Sequence, residues 1–318
     1  MKAITQTVYG ESDVLALTDE PVPTLGKNDV LVRVHTAGVD RGVWHIMSGK
    51  PRLARLFIGR TGPRDRTRGR DVAGTIEAVG TEVTRFRIGD EVFGTADGSF
   101  AEYARTTEKR LAHKPAELSF ADAAALPFGA CAALLAVRAA RVSEGHRVLV
   151  LGASGGVGAF AVQLAVVAGG TVTAVASAAK LDFVRSLGAT HAIDYVTGSL
   201  DGTYDAIIDI AGNRSLTALR ALLTPAGTLV IVGGESGGEI FGGLERNLAA
   251  AVQSPFTRQR LVGLVSAERP ADLEHLAALV VAGSIHSPID RIFPLAETAA
   301  AVQYVVDGHA RGKVVVTV

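Results

Sequence analysis

The seven residues Gly152-Ala153-Ser154-Gly155-Gly156-Val157-Gly158 have the composition and spacing to cradle a phosphate. Glycines let a chain turn sharply and bring backbone N–H groups close to an anion. Upstream, Arg147-Val148-Leu149-Val150-Leu151 is an apolar run that reads as a buried parallel strand. Downstream, Ala159 to Ala168 is largely apolar and long enough for about three helical turns. Strand, glycine-rich turn and helix in that order place a pyrophosphate at the helix N-terminus, where the dipole end is positive. On this reading Ser154, Gly155, Gly156, Val157 and Gly158 hold a dinucleotide. The competing reading is a plain strand-to-helix turn.

The residues after the next strand bear on which dinucleotide it is. A carboxylate closing that strand would accept from the ribose 2′-OH of NAD. Here the strand, Thr171 to Ala176, runs into Ser177-Ala178-Ala179-Lys180, with no acid before Asp182. A hydroxyl and an ammonium attract a 2′-phosphate, which a carboxylate would repel. Ser177 and Lys180 therefore favour NADPH, against a solvated lysine on the first turn of a helix. Gly212-Asn213 and Gly233-Gly234 each follow an apolar strand. Sheet ligands sit beyond the carboxyl ends of strands, so both pairs are candidate cofactor-lining turns, or ordinary tight turns.

The elements that must position these groups fall into two patterns. Up to about residue 118 the chain reads as β structure, with Val30–His35, Val72–Gly80 and Arg87–Gly94 as strand-bearing segments and frequent Gly and Pro. That suits a small, partly open barrel. After Pro115, apolar strands at 147–151, 171–176, 205–210, 228–233 and 261–265 alternate with helices near 158–168, 179–187, 215–222 and 271–282. This βαβ rhythm predicts an α/β domain with a doubly wound parallel sheet. The tail has strand-like 291–294 and 313–318 around a helix at 296–306, and is expected to return to the first domain. The boundaries read as 1–118, 119–284 and 285–318.

Composition narrows the function classes. The chain has 318 residues, 48% of them hydrophobic, and a formal net charge of zero. Global charge gives no argument for a nucleic-acid partner. A single cysteine, Cys131, excludes an internal disulfide and a cysteine-built zinc lobe, and a reducing, cytoplasmic setting is the expectation. No signal pattern opens the sequence, and the most apolar stretch, 120–140, is interrupted by Asp122, Pro127 and Arg138, so no membrane association is expected.

The order and spacing of several short motifs resemble one family. They are Ala37-Gly38-Val39-Asp40, Gly69-Arg70-Asp71-Val72-Ala73-Gly74, Gly89-Asp90-Glu91-Val92-Phe93-Gly94, Phe100-Ala101-Glu102-Tyr103, Ala123-Ala124-Ala125-Leu126-Pro127, the 152–158 turn, Leu187-Gly188-Ala189 and Gly312-Lys313-Val314-Val315. Over essentially its whole length the chain resembles the zinc-independent quinone oxidoreductase and enoyl-reductase branch of the medium-chain dehydrogenase/reductase superfamily. The resemblance implies a GroES-like β-barrel catalytic domain, a Rossmann domain and a nicotinamide cofactor in the cleft between them. It adds Tyr195 to Ser177 and Lys180 as a clasp on the 2′-phosphate, and Lys313 of the closing motif to the cofactor set.

Departures from the family pattern carry equal weight. Zinc-dependent relatives place a Cys and a His where this chain has Asp40 and Arg70, and a guanidinium cannot coordinate a metal. No metal is expected. Cys131 stands where a threonine is usual near the nicotinamide amide, and reads equally as a small buried hydrophobe. Asp40 falls in the family's active-site loop. It is the one catalytic candidate, either contacting the nicotinamide ribose or orienting substrate, with capping of the following helix as the rival role. His45 reads as structural. Residues 50–70 hold eight basic side chains and one acid, Asp65, in a segment that borders the substrate cleft in this family or is a solvated loop. The reading as a whole is an NADPH-dependent reductase that transfers hydride to a quinone or an α,β-unsaturated carbonyl. The alternatives are a zinc-free NADP-dependent alcohol dehydrogenase or carbonyl reductase, and a non-catalytic NADPH-binding protein. The apolar strand Leu261–Val265 is expected at a sheet edge, pairing across a two-fold axis in a homodimer.

Overall fold

A computed structural model describes residues 1–233, 238 and 242–318. The chain forms two compact units, Met1–Cys131 with Glu268–Val318, and Ala132–Ala267. The expected boundaries at 118 and 284 are therefore displaced. The helix Phe120–Ala125 packs on the strands Asp29–Val39 and Asp71–Val79, and the helix Pro270–Val281 packs on Leu111–His113. Their apolar faces are buried on the first unit's sheet, which is why both helices belong to it.

The second unit is a six-stranded sheet, and every pairing in it is parallel. Across it the strands run His191–Asp194, Thr171–Ala176, Arg147–Leu151, Tyr204–Asp209, Leu223–Ile231, Arg260–Gly263. In chain order this is 3-2-1-4-5-6, the doubly wound arrangement that the alternation of strands and helices predicts. Val148, Leu149, Val150 and Leu151 are at most 2% exposed. Burying each such side chain contributes about 1.5–3 kcal/mol. Helix Gly158–Val167 is buried along Gly158 to Ala165, so it sits inside its unit and is not an amphipathic cover. The strand His191–Asp194 was not foreseen: its four residues are polar at both ends and carry no apolar run.

In the first unit a seven-stranded sheet is organised by the long strand Asp29–Val39. This strand pairs antiparallel with Asp71–Val79, Tyr103–Thr107 and Lys313–Thr317. The tail does return to this unit: Ile289–Pro294 lies parallel to Lys313–Thr317, and helix Thr298–Val306 sits between them in sequence. Asp40 ends the long strand and starts the helix Arg41–Ser48, accepting from the Val43 amide through Oδ1 at 3.2 Å. That helix stops at Gly49, whose φ of 64° suits only glycine well, and it buries Val43 and Met47 one turn apart.

Candidate active site

In the second unit the strand order reverses between Arg147–Leu151 and Tyr204–Asp209, which are direct neighbours. Ligands of open parallel sheets sit at such a switch point, beyond the carboxyl ends. The 152–158 turn leaves one of these strands, and Ile210 to Asn213 leaves the other. Gly152 has φ +80°, and a Cβ there would lie 3.1 Å from the Ala211 nitrogen. A Cβ on Gly158 would collide with the Gly152 carbonyl oxygen. At Gly155 a Cβ would meet nothing nearer than the Gly152 oxygen at 3.7 Å. The helix that starts at Gly158 has no side-chain cap. A turn closed by glycine contacts on one side, open at Gly155, and leading into uncapped amides fits a dinucleotide pyrophosphate.

The neighbouring turns are fixed by a group the sequence reading missed. Asp209 is fully buried and accepts from the Gly212 amide at 2.9 Å and from Arg246 at 2.6 Å. Arg246 also donates to the Arg214 carbonyl at 2.9 Å. The only sequence signal was an acid closing the apolar strand Tyr204–Asp209. Gly212 has φ +68°, and a Cβ on Gly233 would collide with the Ile210 carbonyl oxygen, so both turns need glycine. Asn213 is exposed, and Gly234 lies outside the described residues.

Ser177 and Tyr195 follow adjacent parallel strands, and the Tyr195 amide donates to the Ala176 carbonyl at 3.0 Å. The Lys180 amide donates to the Ser177 carbonyl at 2.9 Å. All three residues therefore meet at one corner of the sheet. A carboxylate not considered from sequence, Asp194, stands at the same corner. Hydrogen bonds from the Thr197 hydroxyl first, and then from the Val196, Thr197 and Ala178 amides, hold its pKa below the usual carboxylate value.

In the first unit a cavity of about 320 Å³ is walled by Val43, Ile46, Ala96 and Phe128 and by charged groups that include Asp40, Arg68 and Arg70. Asp40 plays its capping role through Oδ1, while its Oδ2 is buried without a partner, so the rival readings are compatible at this residue. Arg70 donates to Glu268 at 2.5 Å and lies 5.7 Å from the Phe128 ring centre. The 50–70 segment is more ordered by contacts than a solvated loop. Arg55 stacks on Tyr9 at 4.5 Å and donates to the Gly49 and Ser48 carbonyls, and Arg68 is only 5% exposed. His45 contacts the Lys50 carbonyl through Nδ1 at 3.1 Å, as a structural histidine would. Cys131 is fully buried.

Lys313 needs correcting. It is 1% exposed, in the first unit, and its ammonium pairs with Asp71 Oδ2 at 3.3 Å. Asp71 also accepts from the Phe128 amide at 3.2 Å. Placed there, Lys313 is committed to an internal carboxylate and not to a cofactor. Close approach is possible because Asp71 stands opposite Gly38, where a Cβ would come within 2.9 Å of the Asp71 Cβ.

Comparisons with known proteins place this geometry. Residues 26–116 match the family described as alcohol dehydrogenase GroES-like domain, and residues 187–316 match that described as zinc-binding dehydrogenase. A chloroplast envelope quinone oxidoreductase homolog from Arabidopsis thaliana is 32% identical, over 99% of this chain and 98% of its own. An NADPH-dependent alkenal/one oxidoreductase of chloroplasts from the same plant is 32% identical over 99% and 79%. The quinone oxidoreductase from Coxiella burnetii superposes with a TM-score of 0.86 at 30% identity, over 100% and 99%. Among the described residues no three His, Cys, Asp or Glu side chains group to hold an ion, and the cationic Arg70 is engaged with Glu268. With a GroES-like unit, a Rossmann unit and relatives of this similarity, the chain belongs to the medium-chain dehydrogenase/reductase superfamily, in its quinone oxidoreductase branch, and is an oxidoreductase of that type.

Proposed function

We propose that this chain is a zinc-independent, NADPH-dependent reductase of quinones or α,β-unsaturated carbonyls, acting as a homodimer. The observation that carries the cofactor is the corner where Ser177, Lys180 and Tyr195 meet at the ends of adjacent strands. The names of the relatives, quinone oxidoreductase and alkenal/one oxidoreductase, support the acceptor class.

When bound, the dinucleotide supplies hydride from nicotinamide C4. The residues of the second unit bind and orient it. The Gly152–Gly158 turn takes the pyrophosphate, the 177/180/195 corner takes the 2′-phosphate, and the Gly212 and Gly233 turns line the switch point. The cavity of the first unit takes the acceptor. Its apolar wall of Val43, Ile46 and Phe128 suits a flat conjugated ring or chain. Negative charge grows on the acceptor oxygen as hydride arrives, and the cationic groups of that cavity lower its energy. Asp40 Oδ2, an acceptor without a protein partner, is free to take a hydrogen bond from a hydroxyl of the bound ligands.

The test offers NADPH with a quinone, an enone and an aldehyde separately, after exhaustive chelation. Oxidation of NADPH by the quinone or the enone is expected to survive chelation. Turnover of the aldehyde alone, or activity that disappears with a removable zinc, overturns the reading.

A further inference from the structure

The charges around the first-unit cavity are unequally matched. Asp97 pairs with Arg110 at 2.9 Å, Arg70 pairs with Glu268, and Asp40 caps a helix. Arg68 differs from these. Its backbone is pinned, donating to the Ile4 carbonyl at 3.0 Å and accepting from the Phe100 amide at 2.9 Å. The side chain is 95% buried yet lines the cavity. Its Nε donates to the Arg66 carbonyl at 3.3 Å. Among the described residues no carboxylate lies within ion-pair distance of it, and no protein acceptor is found for its terminal nitrogens. The carboxylate that acts on it is Asp65, which is exposed and so screened by water. Burial lowers the pKa of the guanidinium, and Asp65 and Tyr9 oppose that shift only in part.

A buried cation without a partner is costly, and the cost is recovered when an anion arrives. We propose that Arg68 is the receptor for a carboxylate group on the acceptor, and so selects carboxylated enones or quinones. This rests on the reading of the cavity as the acceptor site. A guanidinium fork matches a carboxylate with two parallel hydrogen bonds. The same cavity is lined by Asp40, Asp65 and Asp97, which oppose a dianionic phosphate far more than a monoanion. Its volume admits a small acceptor.

The test compares (E)-4-oxo-4-phenylbut-2-enoate with its methyl ester as acceptors for NADPH, in the wild type, R68Q and R68K. The acid is expected to have the lower KM in the wild type. The acid-to-ester ratio of kcat/KM should fall at least tenfold in R68Q and be largely retained in R68K. Calorimetric titration with the saturated analogue 3-benzoylpropanoate reads binding without turnover. If neither acceptor is reduced but benzoylpropanoate binds the wild type and not R68Q, the anion site stands and the reductase reading falls. If the ester is reduced as well as the acid, and benzoylpropanoate does not bind, the anion site falls and the reductase reading stands. The wild-type comparison decides the matter even where R68Q does not fold.

Discussion

Lys313 and Asp71 are 242 residues apart in sequence and 3.3 Å apart in the fold, with side chains 1% and 0% exposed. The pair ties the C-terminal strand to the strand that begins at Asp71, beneath the cavity that holds Asp40. Removing Lys313 leaves Asp71 buried without its partner, to be protonated or held as a lone charge, a loss of up to about 3–5 kcal/mol. K313M is therefore expected to be strongly destabilised in chemical denaturation. The double variant K313M/D71L, which replaces both charges with apolar groups, should recover most of that loss. A double variant as unstable as the single one would show that the pair is not the source.

Asp71 also gives the stability a pH dependence. Burial raises its pKa to about 7; Lys313 opposes the rise, Asp40 adds to it, and the Phe128 amide and Arg70 oppose it. In the unfolded chain the same carboxyl loses its proton near its ordinary value of 3.8. Between about pH 4 and 7 the native state therefore holds a proton that the unfolded state has released, so this group's contribution falls as pH rises across that window. The slope is at most about 1.4 kcal/mol per pH unit. Measured against D71N, which cannot titrate, the wild type should lose relative stability from pH 5 to pH 7. A stability difference that is flat with pH would refute the raised pKa.

What the sequence made legible was local. The 147–151 strand, the glycine turn and the following helix are contiguous, and their apolar and glycine patterns specify both structure and switch point. What it hid was paired across long separations. Glu268 meets Arg70 from 198 positions away, and Arg246 reaches Asp209 from 37. No pattern along the chain marks such partners, because only the closed sheet brings them together. Lys313 was misassigned for the same reason: its motif fixed the strand, but not what its side chain meets. Arg68 was hidden by its neighbours, since a run of exposed basic residues gives no sign that one of them points inward.

The 177/180/195 corner predicts cofactor choice. Lys180→Ala should weaken NADPH binding at least tenfold more than NADH binding, since a charge-assisted contact contributes about 1.5–3 kcal/mol. Titration of both cofactors by fluorescence checks this. Equal losses would mean that Asp194, at the same corner, or some other group sets the preference.

Two glycines of one turn should behave differently. G155A adds a methyl to open space, so the melting temperature should hold while cofactor affinity drops, because the methyl would intrude on the pyrophosphate position proposed for this turn. G158A forces a methyl against the Gly152 carbonyl, and such overpacking costs about 1–3 kcal/mol, lowering stability as well. A G155A variant with undiminished affinity would remove the phosphate from this turn.

The last expectation concerns assembly. Arg260–Gly263 closes the second unit's sheet at one end, where, among the described residues, no further strand pairs with its outer edge. The helix Leu244–Gln253 and the turn Ser254–Phe256 pack against it. Around this edge Phe256 and Val265 are each 88% exposed, Leu248 67% and Val252 59%. Apolar side chains grouped beside an open edge mark an interface, and pairing two such edges across a two-fold axis satisfies both. Light scattering at micromolar concentration should give about twice the 32.9 kDa chain mass. V265K/F256D should shift the protein toward the single-chain mass while each chain keeps its melting transition, since neither side chain is part of a core. A wild-type protein that is monomeric and fully active at that concentration would exclude a tight dimer through this edge.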